Sequence, residues 1–278
     1  MTRTANALQR ERWNGETGQY WVAHRERHLA EHKRLHPHLF DAAGIAPGDR
    51  VLDVGCGCGA TTIAAAKAAA SHGTAVGVDP SSPMLAVARQ LAINAAAPNA
   101  AFVRGDAQFC PLRPESCDVM ISSFGVMFFE DPAAALSSIA ATVRRHGRLA
   151  FLCWQDDTRN ELFSIPLAAF GGCSQGPPQA PPSLFTDPGK ITALLSGTGW
   201  DSIQVRPLAE PAWIGTDVTD VLNYVRGMSM IRNLIADQAD PEQTEQAMHN
   251  LGRQYAARQQ PDGIWVNAAA WLVTARRR

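Results

Sequence analysis

Val51-Leu52-Asp53-Val54-Gly55-Cys56-Gly57-Cys58-Gly59-Ala60-Thr61-Thr62 decides the reading of this chain. An apolar run of strand length passes into three alternating glycines, and a helical segment follows. Glycines permit a tight turn and let a ligand come close to the backbone. The start of the next helix offers unpaired N–H groups and the positive end of a dipole. Gly55, Gly57 and Ala60 also satisfy the loose dinucleotide pattern G-x-G-x-x-G/A, so the glycines alone do not name a ligand. Asp53 narrows the choice. A carboxylate at the end of the strand would repel a pyrophosphate and suit a cationic ligand. The plainer alternative is that it caps N–H groups of the loop.

Two further acids keep step with Asp53. Asp79 closes Val76-Gly77-Val78-Asp79-Pro80, and Asp106 follows Val103-Arg104-Gly105. The spacings are 26 residues (53 to 79) and 27 residues (79 to 106), close to one strand plus one helix. Each acid is therefore predicted at the carboxyl end of a successive strand, the edge where open α/β sheets bind ligands. Strand-like runs are Arg50–Val54, Ala75–Asp79, Ala101–Arg104, Cys117–Ser122 and Arg148–Trp154, with helices expected over Ala60–Ala70, Pro83–Ala96 and Pro132–Arg144. Continuous apolar strands alternating with helices imply a parallel sheet covered on both faces. Asp187–Leu195 reads as a helix with Asp187 as N-cap and Pro188 in its first turn. Ser202–Pro207 reads as a sixth strand and Ile264–Ala275 as the last.

With these motifs in place, the sequence resembles the class I S-adenosylmethionine-dependent methyltransferases of the small-molecule type. The glycine loop looks like their first motif, Asp79 like the acid that holds the ribose, and Asp106-Ala107 like the pair that reads the adenine edge. Ser122-Ser123-Phe124-Gly125-Val126-Met127 resembles their loop after the fourth strand. His146-Gly147-Arg148-Leu149 resembles the turn before the fifth, with a proline and one glycine missing. The resemblance implies a Rossmann-like, doubly wound α/β sheet of seven strands, the last antiparallel. It implies S-adenosyl-L-methionine as cofactor, held by Asp53, Gly55, Gly57, Asp79, Pro80, Met84, Asp106, Ala107, Gln108, Ser122 and Ser123. Tyr20 and Trp21 would touch the methionine end from an N-terminal lid. The expected organisation is a helical lid over 1–46, the cofactor-binding core over 47–209, a helical cap over 210–263, and a final core strand and tail over 264–278.

Methyl transfer displaces a neutral leaving group from an activated carbon, so positioning supplies much of the rate and no fixed catalytic signature is expected. His24, His28, His32 and His36 recur at steps of four and would form one slanting stripe on a helix. Such a stripe can be a partly solvated face, a source of a general base, or a metal chelate. His24 and His28 are the candidate bases, and no metal is expected because no carboxylate or cysteine partner stands out. Cys56 and Cys58 lack a second ligand pair and read as small residues in a crowded turn. Phe128, Phe129 and Trp154-Gln155-Asp156-Asp157 fall at the binding edge. Tyr224, Met228, Met230 and Ile231 lie at helical spacing within Val218–Arg258, consistent with an apolar lid or with core packing.

The 278 residues are 46% hydrophobic and 18% charged, with a formal net charge of −1. That balance offers no electrostatic reason to bind nucleic acid or an anionic membrane. The N-terminus lacks an apolar leader segment, no apolar stretch is long enough to span a bilayer, and the six cysteines form no spaced framework. A cytoplasmic enzyme acting on a small, fairly apolar molecule is the expectation. Two alternatives are a protein of the same fold without methyl transfer, such as a cyclase or binding partner, and a nicotinamide oxidoreductase.

Overall fold

The computed structural model describes residues 6–109, 113–171, 182–238 and 240–278, apart from the side chains of residues 182 and 183. Cys110, Cys173 and most of the Gly171–Pro182 loop lie outside the described residues. Four short helices come first: α1 (Ala7–Asn14), α2 (Glu16–Ala23), α3 (Arg25–His32) and α4 (His36–Ala43). The core then alternates β1 (Arg50–Val54), α5 (Ala60–Ala68), β2 (Thr74–Asp79), α6 (Ser82–Asn94), β3 (Ala100–Arg104), β4 (Cys117–Ser123), α7 (Pro132–Thr142) and β5 (Val143–Trp154). Next are α8 (Glu161–Ala169), the single turn α9 (Pro182–Phe185), α10 (Pro188–Gly197) and β6 (Trp200–Gly215). Three cap helices, α11 (Val218–Gly227), α12 (Ser229–Ala236) and α13 (Pro241–Ala256), precede the two-residue β7 (Gln259–Gln260) and β8 (Gly263–Arg277).

The strands lie in the order β3-β2-β1-β4-β5-β8-β6, with β7 added against β8. β1 to β5 pair in parallel, and β8 runs antiparallel to both β5 and β6. The seven strands with a reversed last strand are as expected, and the two-residue β7 is an addition. The sixth strand is longer than expected: it continues through residue 210 to Gly215, paired with β8 as far as Ile264. More and less exposed residues alternate along 208–214 as the ladder extends beyond the core, and the cap helices follow from its far end.

Helix starts follow local chemistry. Ser81 caps α6, Asp131 caps α7 and Asp187 caps α10, each with proline in the first turn. Proline costs nothing there, because its missing N–H would have had no partner within the helix.

Strand alternation divides the core in two. Val51, Val119, Ile121, Ala150 and Leu152 pack on one face with α4 and α5. Leu52, Val54, Met120, Leu149 and Phe151 pack on the other with α7 and Trp200. The two loops that matter most cross at the carboxyl edge, between β1 and β4. Gly55 and Gly125 meet backbone to backbone: a Cβ on Gly125 would lie 2.6 Å from the Val54 carbonyl oxygen and 2.8 Å from Gly55 Cα. Backbone cannot swing aside as a side chain can. Gly125→Ala should therefore force the loops apart, cost about 1–3 kcal/mol and lower the thermal midpoint by several degrees. An unchanged midpoint in thermal denaturation would contradict this close approach.

Candidate active site

One cavity of about 260 Å3 opens at the carboxyl ends of β1 to β4, roofed by α1 to α3 and bounded on one side by α8. Its floor is the Gly55–Cys58 turn, with Asp79 and Pro80 beside it and Asp106-Ala107 further along the rim. Asp79 is 7% exposed. Its two carboxylate oxygens accept from the Gly57 N–H at 2.9 Å and the Ser81 N–H at 2.8 Å. Burial pushes its carboxyl up to about 6, against the pull of those two N–H groups. Met84 closes the turn from below, its Cε lying 2.9 Å from where a Cβ on Gly57 would stand.

Asp106 also lines the cavity, but both its oxygens accept from the Asn6 side-chain amide, at 3.0 and 2.9 Å. Asn6 reaches Gln108 Oε1 as well, and exchanges two hydrogen bonds with Glu130 through its own N–H and Oδ1. The start of the chain is thereby pinned to the third strand's end. Nothing in sequence marked Asn6, because its partners lie a hundred residues away.

The opposite wall is aromatic. Phe124 stacks on Trp154 with ring centroids 3.8 Å apart, and His32 packs against both. Phe124 has φ +62°, a left-handed conformation unusual for a bulky residue, of the kind that concentrates at functional sites. Trp21 lies flat on His28 at 3.7 Å, and Phe128, Phe129 and Phe163 complete the lining.

The histidines do not form one stripe. The helix breaks at His24 and again after His32, so each ring finds its own surroundings. His24 lies against the Tyr20 and Tyr224 rings. His28 bonds Glu31 through Nδ1 at 3.1 Å. His36 bonds the Ser123 hydroxyl at 3.0 Å. Burial lowers the His32 imidazole well below its usual value and brings His36 down to about 4, so both are neutral at pH 7. A solvated face is thus not what this segment makes. Among the described residues no group of three or more His, Cys, Asp or Glu is arranged to hold a metal ion. Burial raises the Cys56 thiol and brings Cys58 up to about 11, so neither offers a thiolate at neutral pH.

Ten of the fifteen sequence-predicted site residues line the cavity: Trp21, His28, Gly55, Gly57, Asp79, Pro80, Met84, Asp106, Ala107 and Ser123. Five do not. Tyr20 donates to the Tyr224 carbonyl at 2.6 Å and packs between lid and cap beside His24. Gln108 turns to Asn6 and to the Asp131 N–H at the start of α7. Ser122 is fully buried and donates to the Val54 carbonyl, holding the two loops together. Asp53 is the main correction. Strand alternation puts it on the same face as Val51, so its carboxylate enters α5 instead of facing a ligand. There Oδ2 accepts from the Thr61 and Thr62 hydroxyls at 2.7 and 2.6 Å. Its bearing on a cationic or anionic ligand is therefore at a distance.

A methyltransferase-domain family model matches residues 51–147, the stretch that contains the glycine turn, Asp79 and Asp106. That stretch of the chain resembles a methyltransferase domain. Over 113 residues it is 34% identical to the aklanonic acid methyltransferase DauC of Streptomyces sp. strain C5, covering 41% of this chain and 51% of that one. Over 123 residues it is 36% identical to a demethylmenaquinone methyltransferase of Mycobacterium sp. strain KMS, covering 44% and 49%. The chain thus spans about half the length of the curated relatives it matches. The YcgJ protein of Bacillus subtilis superposes with a TM-score of 0.59 at 19% identity, over 89% of this chain and 99% of that one. The [4+2]-cyclase SpnF superposes at 0.53 with 18% identity, over 88% and 80%. These two likenesses show the fold alone.

The buried acids give the domain a measurable signature. Asp53 is 0% exposed, and its Oδ1 has no hydrogen-bond partner among the described residues. Burial raises its carboxyl to about 6, from 3.8 in a solvated chain. Between those two values the folded state binds the extra proton, so stability falls as pH rises through this window. Asn in its place keeps an oxygen for the two threonines and carries no charge. Asp53→Asn should make the ligand-free domain more stable at pH 7.5 by about 1–3 kcal/mol, with little gain at pH 4. Denaturation showing no gain at pH 7.5 would refute the cost assigned to this carboxylate.

Proposed function

We propose that this protein transfers the methyl group of S-adenosylmethionine to a small, apolar, planar molecule. The observation that carries the reading is the buried Asp79 carboxylate, held by two backbone N–H groups in a glycine turn that opens into an aromatic-walled cavity. Asp79 lines the cavity, and its remaining lone pairs would suit the two hydroxyls of a ribose. Gly55 and Gly57 leave the room that close approach of a nucleoside to the backbone requires. Asp106-Ala107 and Met84 would border the adenine, with Asn6 yielding or sharing the Asp106 carboxylate. Ser123 and Trp21 stand at the other end, beside the methionine part.

Bound there, S-adenosylmethionine supplies a methyl group already activated on a sulfonium. The chain's own residues have simpler tasks. The rim carboxylates favour a cation in a cavity with few polar groups. Phe124, Trp154 and His32 offer flat apolar surfaces against which a planar acceptor can stack. The lid keeps water from competing for the methyl group. The relatives named for aklanonic acid and demethylmenaquinone methylation support an acceptor of polyketide or quinone character.

Asp79→Asn should weaken S-adenosylmethionine binding roughly tenfold to a hundredfold, the loss expected for a hydrogen-bonded charged partner. Titration calorimetry measures it, with circular dichroism to confirm the fold. Unaltered affinity would remove Asp79 from the ribose site.

A further inference from the structure

His28 stands out because its surroundings are complete on one side and bare on the other. It is 5% exposed and lines the cavity. Its Nδ1 lies 3.1 Å from Glu31 Oε2 and 3.1 Å from the Tyr224 hydroxyl. That hydroxyl donates to the other Glu31 oxygen at 2.7 Å. A carboxylate only accepts, so Nδ1 carries a proton, which in the neutral ring leaves the lone pair on Nε2. Nε2 is buried and has no partner among the described residues. A buried acceptor left without a donor is costly, and a donor on an occupant of the cavity that His28 lines would relieve that cost.

We infer that His28 Nε2 takes the proton of a ring hydroxyl on the methyl acceptor, a phenol or enol, while Glu31 and Tyr224 hold its imidazole in place. The inference rests on the methyl-transfer reading above and names the acceptor class for that same cavity. An unprotonated amine already has a free electron pair and sheds its proton after transfer. A neutral hydroxyl is a poor nucleophile until its proton leaves, so it is the acceptor that needs an oriented base. The hydroxyl oxygen forms its bond to the methyl carbon as the carbon–sulfur bond breaks, and that electron pair stays on sulfur. The hydroxyl proton passes to Nε2 and then to water. The flat surfaces around this nitrogen select the rest of the molecule: Trp21 covers His28, and Phe124 lies against Trp154. Glu31 and Tyr224 are positioning residues. Tyr224 comes from the cap helix α11, so the base is assembled only when lid and cap meet.

The test uses the full chain loaded with S-adenosylhomocysteine, which blocks turnover and leaves an equilibrium to measure. 1-Naphthol and the near-isosteric 1-methylnaphthalene are titrated by fluorescence. The expected result is naphthol binding roughly tenfold tighter, the worth of one hydrogen bond to a buried acceptor. His28→Leu should erase that preference with S-adenosylhomocysteine affinity kept, and Glu31→Gln should reduce it. Nitrogen NMR of histidine-labelled wild type should show the Nδ1-protonated tautomer at His28, a readout independent of how well the variants fold. Equal affinities for the two aromatics, no binding of either, or the opposite tautomer would overturn the inference. Failure to bind S-adenosylhomocysteine at all would instead strike the methyl-transfer reading itself.

Discussion

Two carboxylates are buried at the carboxyl ends of adjacent parallel strands, and the rest of the site is arranged around that placement. Asp53 and Asp79 lie at the ends of β1 and β2, one fully buried and one nearly so. Burying a charge is expensive unless dipoles replace the lost water. Each acid is answered by what lies next to it in the chain. The first turn of α5 gives two hydroxyls to Asp53. The glycine turn and the entry to α6 give two N–H groups to Asp79. The compensation is partial, since both carboxyls still sit above their usual range. A cavity with this floor favours donors and positive charge. Both aspartates cost the empty fold stability, and of the two only Asp79 lines the cavity.

The roof depends on contacts between distant segments. Tyr20 and the Glu31–Tyr224 pair join the N-terminal helices to α11. Arg27 adds an ion pair with Asp220 at 2.6 Å, its guanidinium lying 4.5 Å from the centre of the Tyr224 ring. At the other end Asn6 ties the chain start to Asp106 and Glu130. Lid and cap thus meet in one polar seam above the cavity.

Much of this was legible in the sequence because it is periodic. Strand-plus-helix spacing placed Asp53, Asp79 and Asp106 on one edge, and proline after a capping Asp187 marked the start of α10. The seven strands with the last one reversed came with the family resemblance and agree with the structure. Legibility failed where a side chain's direction or a distant partner decided the outcome. The face of Asp53 follows from alternation with Val51, yet its position at a strand end suggested a rim residue. The histidine steps of four suggested one helix, and the breaks at His24 and after His32 dispersed them. Asn6 and Glu31 carry no local motif: their partners at positions 106 and 224 meet them only in the folded chain.

The most direct trial of the account is a crystal structure of the protein with S-adenosylmethionine bound. The account places the ribose hydroxyls on Asp79, the adenine beside Ala107 and the sulfonium facing the aromatic wall. A nucleoside lodged elsewhere, or seated in the cavity with Asp79 untouched, would contradict it.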